Sequence, residues 1–163
     1  MRQNGVMYCY KTVEIFTGTI LGLGGVALLA EVIDYPLLIA PFGASAVLIY
    51  YAKTSPLAQP KNLVFGHLIS AMVAITCCRL LGNQLFVAVL SVGMAITLMM
   101  MLDVAHPPGG ATALLCVLQN TTSYTFLGYL FLGVMILLLA AIVTSKLVPY
   151  ASAYPFVNIS QHN

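Results

Sequence analysis

The chain has 163 residues, of which 61% are hydrophobic and only 6% charged, with a formal net charge of +2. Soluble domains carry roughly 25% charged residues, so this composition argues against a soluble fold and for one dissolved in a bilayer. The small net charge and the absence of a basic cluster argue equally against nucleic acid as a partner.

Six apolar segments follow one another. The first runs from Ile15 to Ala30 and extends to Ile33. It begins behind Lys11 and Glu14 and ends in Glu31 instead of a small-residue cleavage site, so it is expected to be a retained span and not a signal peptide. The second, Leu37 to Ala52, is short and broken at Pro41. Asn62 to Leu81 and Leu85 to Leu102 are the third and fourth. The fifth, Gly109 to Leu118, is again short and follows a double proline; the sixth is Phe126 to Val148. Four segments approach or reach the roughly 20 residues that span a bilayer as helix. The helical parts of the second and fifth, at about 15 Å for ten residues, reach only half-way. The tail beyond Pro149 is expected to lie along the membrane surface.

The most informative stretch is His106-Pro107-Pro108-Gly109-Gly110-Ala111-Thr112. Tandem prolines remove two backbone donors and favour extended backbone before them. In lipid such a break is tolerated only where it is buried in protein or lines a polar cavity. Pro41-Phe42-Gly43-Ala44-Ser45 echoes it. At an offset of 67 residues Pro41, Gly43, Ala44, Ser45, Ala46 and Leu48 meet Pro108, Gly110, Ala111, Thr112, Ala113 and Leu115, and Gly66 meets Gly133. The expectation is a repeat with halves at about 14–80 and 81–148. Short, Gly/Pro-interrupted segments at corresponding places in two halves point to a transport site.

Topology follows from charge. If both short segments cross the membrane, the second half is inverted, with Arg2, Lys11, Lys53, Lys61 and Lys146 on one side and Arg79 on the other. If they are re-entrant loops, Lys53 and Lys61 move outside. The positive-inside rule prefers the inverted arrangement. Both short helices then begin near the bilayer centre, and their unpaired N–H groups and dipoles suit a small anion. Ser45 and Thr112 are placed in those first turns, lining a pocket or capping the helix. Gly43, Gly109 and Gly110 keep side chains out of the ligand's way. A Pro/Gly kink that only eases packing is the alternative.

Ionisable groups within membrane segments are functional candidates by default. His106 either exchanges a proton with an incoming anion or bonds a carbonyl freed by the prolines. Asp103 is read as a fixed acceptor supporting His106 or exposed N–H groups, and His67 as facing the same cavity or a packing contact. Arg79 is expected to snorkel. The cysteines Cys9, Cys77, Cys78 and Cys116 read as small packing residues. The Met99-Met100-Met101 run with Cys116 invites a soft-metal reading, but consecutive helical residues spread over different faces. No arrangement for enzymatic chemistry is present, so an enzyme is not expected.

The His-Pro-Pro followed by Gly-Gly-Ala-Thr-Ala resembles the HPP family of integral membrane proteins. Ala40-Pro41-Phe42-Gly43-Ala44-Ser45-Ala46-Val47-Leu48 resembles a second block of that family. Lys53-Thr54-Ser55-Pro56-Leu57-Ala58-Gln59-Pro60, with Gly66 and His67 after it, resembles a third. The resemblance covers about residues 15–148. Some members carry soluble regulatory domains after the membrane part; none is expected within these residues. Plant plastid and cyanobacterial relatives are associated with nitrite transport, so the resemblance implies a small monovalent anion as substrate.

The resulting expectation is a single, all-α polytopic transmembrane domain over 1–163, four long and two short broken helices in an inverted repeat, in the cell inner (plasma) membrane. Its function is expected to be small-anion transport, nitrite first, as a homo-oligomer without cofactor or resident metal. The substrate-binding set is Gly43, Ala44, Ser45, His106, Pro107, Pro108, Gly109, Gly110 and Thr112, with His67, Asp103 and His106 as candidates for proton coupling or support. The alternatives are a non-transporting sensor or scaffold subunit and, less favoured, a soft-metal transporter.

Overall fold

The computed structural model describes residues 2–35, 39–149 and 153–155. Within them the chain is helical: α1 Arg2–Val32, α2 Ile39–Tyr51, a 3₁₀ turn Pro56–Ala58, α3 Pro60–Leu81, α4 Leu85–Met101, α5 Pro107–Leu118 and α6 Thr125–Leu147. The order of segments agrees with the expected one, but several boundaries differ for physical reasons. Helix α1 starts at Arg2, well before Ile15, because Lys11 and Glu14 are good helix formers and no proline interrupts them. Pro41 does not break α2 but lies in its first turn, where a missing N–H leaves nothing unpaired. Leu37 and Leu38, the expected start of that segment, fall outside the described residues.

Among the described residues three helices are long and apolar enough to cross a membrane: Val6–Val32, Pro60–Leu81 and Thr125–Leu147. The fourth expected long segment forms a helix of 17 residues, about 26 Å and so slightly short of the hydrocarbon thickness. Helices α2 and α5 have 13 and 12 residues. Large apolar side chains such as Phe16, Leu85, Phe86, Val89 and Leu139 stand exposed around the outside, as a lipid-facing surface requires and a water-facing one would not tolerate.

Successive helices run in alternating directions between two ends. Glu14 pairs with Lys53, and Lys61 with Asp103 at 3.6 Å. This puts the front of α1, the C-terminus of α2, the start of α3 and the C-terminus of α4 at one end. At the other end Tyr35, beyond α1, stacks on Phe126 and Tyr129 of α6, and Arg79 near the end of α3 donates to Thr122 O and lies over the Tyr124 ring.

Helix α3 is central, touching α4, α5 and α6, while α1 packs on α2 and α6. Exchanging α1 with α4, α2 with α5 and α3 with α6 maps α1–α2 onto α4–α5, α1–α6 onto α3–α4 and α2–α6 onto α3–α5. The α2–α5 and α3–α6 contacts map onto themselves. The glycines 67 residues apart behave alike. A Cβ on Gly66 would lie 2.4 Å from His106 Cβ at the start of α5, and one on Gly133 would lie 2.9 Å from the Phe42 ring in the first turn of α2. Each glycine therefore lets a long helix back the start of a short one, which is close small-residue packing of the membrane kind. Gly22 and Gly25 give α1 the same closeness to α6, and Gly18 admits the Tyr50 ring.

Helices α1, α4 and α5 end alike. Asp34, Asp103 and Asn120 adopt φ of 49°, 53° and 53° just past the last turn. The residue after each bonds back into the helix, Tyr35 N–H to Ala30 O, Val104 N–H to Met99 O and Thr121 N–H to Cys116 O. Asp and Asn suit this left-handed cap position better than other non-glycine residues. The tail is not simply laid on a surface: Tyr154 is buried and its hydroxyl donates to Ala58 O at 2.7 Å. Residues 150–152 and 156–163 lie outside the described residues.

Space at the glycines sets a stability test. Gly66→Ala and Gly133→Ala should each lower the thermal stability of the detergent-solubilised protein, by about 1–3 kcal/mol through overpacking. Gly24→Ala, whose Cβ meets nothing within 4 Å, should leave it unchanged or raise it. Equal behaviour of the three variants in thermal melts would contradict the packing described.

Candidate functional site

Where α2, α3 and α5 meet, four polar side chains are closed off from the surface: Ser45, His67, His106 and Thr112 are each at most 1% exposed. His106 is the residue before the double proline, and its extended backbone (φ −141°, ψ 100°) is the conformation a following proline demands. That backbone aims the ring at the loop before α3, where Nδ1 donates to Leu57 O at 2.8 Å. His106 Nε2 lies 2.8 Å from Ser45 Oγ, which lies 2.9 Å from His67 Nε2. His67 Nδ1 is 2.7 Å from Thr112 Oγ1. The two imidazoles meet edge to face, 5.0 Å between centroids, and the Phe42 ring closes the other side of His67 at 5.4 Å.

The proton positions in this chain are determined by its end. A carbonyl only accepts, so His106 Nδ1 carries a proton and, in the neutral ring, Nε2 accepts from Ser45. Ser45 has one proton and so must accept from His67 Nε2–H. His67 Nδ1 then accepts from Thr112. With both rings neutral, every donor from Thr112 through His67, Ser45 and His106 to Leu57 O is matched, all pointing the same way. Thr112 Oγ1 also has Pro108 O 3.4 Å away as a second acceptor.

The loop that supplies Leu57 O is itself held. Gln59 Nε2 donates to Lys53 O and Ser55 O, and Ser55 Oγ caps the 3₁₀ turn by accepting from Leu57 N–H. Asn62 donates to Ala105 O at 2.9 Å, tying the start of α3 to the residue before His106. Burial pushes the Tyr154 phenol above its ordinary range, so it remains a donor to Ala58 O around neutral pH.

The sequence-predicted residues separate into three groups. Ser45, His106 and Thr112 come together with His67, and Pro108 and Gly109 are buried beside them. Gly109 allows the close approach of α5 to α3: a Cβ there would lie 2.7 Å from Ser70 Oγ and 2.8 Å from Gly66 O. Gly110 turns the other way, with only Val92 within reach of an added Cβ, and Gly43 opens on a cleft against α1. Ala44 and Pro107 are exposed and line an outer apolar crevice of about 450 Å³ with Val47, Leu48, Pro108 and Ala111.

Asp103 is a correction. Its side chain is fully exposed and faces Lys61, because the residue serves as the left-handed cap of α4 and not as support for His106. The helix-end donors expected at α5 also differ: Pro107 and Pro108 have no N–H, and Gly109 N–H donates to His106 O at 2.8 Å. Ser45 and Thr112 lie in the second turns of their helices and not in the first.

Sequence reasoning missed two features. One is the Leu57 carbonyl, whose only signal was the Ser-Pro-Leu-Ala-Gln-Pro block itself. The other is a buried ion pair between Glu14 of α1 and Lys53 at the end of α2; the last charge before one apolar run and the first after the next are of opposite sign and at the same end.

Residues 7–155 match the model of the HPP transmembrane region. The chain belongs to the HPP transmembrane family. Two transmembrane proteins of Dictyostelium discoideum are 40% and 43% identical to it over 117 residues, 67% of this chain. The aligned part is 41% and 38% of their own lengths, so this HPP chain spans about two fifths of the relatives it matches. No solved structure matches it. The histidine cluster is assembled from the His-Pro-Pro block, the Pro-Phe-Gly-Ala-Ser block and the Gly-His start of α3, with the loop block providing its terminal acceptor.

Removing one link should be costly. Ser45→Ala leaves a ring nitrogen of each histidine without its partner and should destabilise the protein by about 1–3 kcal/mol. Asp103→Asn, compatible with a left-handed cap, should stay within about 0.5 kcal/mol of wild type. Thermal unfolding followed by helix signal in detergent distinguishes the two.

Proposed function

We propose that this HPP protein is a multi-pass transporter of a small monovalent anion, nitrite first, in the cell inner (plasma) membrane, with a proton accompanying the anion. The observation that carries the proposal is the buried, fully matched chain Thr112–His67–Ser45–His106–Leu57 at the junction of the two short helices. Buried ionisable groups at such a junction are costly unless used or satisfied. Here they are satisfied with both rings neutral, and the network offers defined responses to one added proton. A proton on His106 Nε2 makes Ser45 accept from both rings and frees its O–H for an incoming anion. A proton on His67 Nδ1 turns Thr112 into an acceptor, and its hydroxyl can then donate to Pro108 O. Either change places one positive charge where a monovalent anion needs one, so anion and proton enter as a neutral pair. No covalent chemistry is involved.

The helix contacts preserved on exchanging the halves, and the paired roles of Gly66 and Gly133, support an inverted repeat about this junction. The alternating helix directions place Lys11, Lys53, Lys61 and Lys146 at one end, which supports that end as cytoplasmic. A homo-oligomer is part of the same proposal, because the outer crevice at Ala44 and Pro107 abuts the network from the lipid-facing side.

A non-transporting sensor or scaffold has one observation in its favour: the polar groups of the junction are paired with one another. The discriminating measurement is anion uptake into proteoliposomes, with nitrite, nitrate, formate and chloride compared. Nitrite uptake should rise as the side it enters from is acidified, and Ser45→Ala should lower it about tenfold in protein shown to be folded. Absence of flux for every anion at every pH would leave the scaffold reading standing.

A further inference from the structure

At the lysine-rich end a cavity of about 330 Å³ opens between α1, the C-terminus of α2 and the loop after it, lined among others by Lys11, Glu14, Tyr50, Tyr51 and Lys53. A second cleft of about 270 Å³ continues from it along the α1–α2 seam, sharing Tyr50 and Tyr51 and otherwise walled by Ile15, Thr19, Gly43, Ala46 and Val47. The first is lined about equally by polar and apolar surface and the second mostly by apolar surface. We propose that together they bind one anionic phospholipid, its phosphate in the upper cavity and an acyl chain in the cleft below.

The charges favour this occupant over a zwitterionic lipid. Lys53 is buried and engaged by Glu14, so that pair is neutral as a unit and fixes the floor of the cavity. Lys11 is exposed and lies 5.2 Å above the Tyr51 ring, giving the cavity a net positive charge with its ammonium at the rim. Tyr8, Tyr50 and Tyr51 gather around it, as amphipathic rings do at headgroup depth. The end concerned also carries Lys61 and Lys146, and positive residues on the cytoplasmic face meet an anionic leaflet.

The apolar cleft gives the lipid its second half. From Tyr51 down to Gly43 the α2 wall is about 12 Å long, enough for the upper part of an acyl chain. Gly43 leaves it open: a Cβ there would meet no atom within 4 Å. The missing side chain in this echo of the Gly-Gly motif therefore makes room for lipid and lies off the histidine network.

The test is native mass spectrometry of the full chain in detergent, titrated separately with phosphatidylglycerol, phosphatidylcholine and inorganic phosphate. Phosphatidylglycerol should be retained in preference to phosphatidylcholine, with about one molecule per protomer. Lys11→Ala should weaken its retention about fivefold while Lys11→Arg restores it. Gly43→Leu should weaken it about tenfold by filling the cleft. Thermal melts establish that each variant is folded; the exposed Lys11 keeps the test informative if Gly43→Leu is not. Equal retention of the two lipids, or no response to the Lys11 variants, would overturn the proposal. Inorganic phosphate competing as strongly as the lipid would overturn it too, showing a soluble-anion site instead.

Discussion

The structure depends on one constraint: a backbone broken inside a membrane protein must have its polar groups matched without help from water. The double proline creates the break and His106 resolves it. The extended backbone before Pro107 throws the imidazole across to Leu57 O, and Gly109 N–H returns to His106 O. Rigidity elsewhere serves this contact. The Ser55 cap, the two Gln59 bonds and the Tyr154 hydroxyl hold the loop so that its carbonyl faces the ring.

In the proposed repeat the two halves share helix contacts but not polar chemistry. Each contributes one hydroxyl at an equivalent place, Ser45 and Thr112, and one glycine behind the start of a short helix. The histidines break the pattern: the position matching His67 is Val134, and the one matching His106 is Ile39. Likewise Phe42 fills the space against Gly133, whereas its counterpart Gly109 presses backbone to backbone against Gly66. A pair of imidazoles can therefore lie on one side of the junction without a second pair opposite. That asymmetry gives the hydrogen-bond chain a direction, from Thr112 toward Leu57.

Much of this was legible in the sequence because it depends on local rules. Apolar run lengths fixed the number and order of helices, and the proline-glycine stretches marked the short ones. Ser45, His67, His106 and Thr112 were all singled out, since polar residues in apolar runs are expensive and conspicuous. What escaped depends on tertiary geometry. Nothing local to Asp103 separates a site carboxylate from a cap; only the left-handed turn after Met101 does, and proximity to His106 in sequence was misleading. A backbone carbonyl such as that of Leu57 has no side chain to announce it, only the Ser-Pro-Leu-Ala-Gln-Pro block around it. Pro41 was read as a break although it lies in the first turn of α2, because a proline is identical in the two roles until the preceding backbone is known.

Charge and depth are related throughout the molecule. The buried ion pair, Glu14–Lys53, lies at the end where the helices meet the loop, and each ion offsets the cost of removing the other from water. Deeper in, at the junction of α2, α3 and α5, no formal charge is present and hydroxyls alternate with neutral imidazoles. Those two arrangements have different consequences. An ion pair is fixed: removing either partner leaves an uncompensated charge. A chain of neutral donors and acceptors can take up one proton by turning one hydroxyl, without moving a helix. Burying that proton alone would cost as much as burying any isolated ion, so the charged state of the junction is accessible only together with an anion. In the proposed transport the neutral network is the resting state, and the added proton is accommodated by rotation of Ser45 or Thr112.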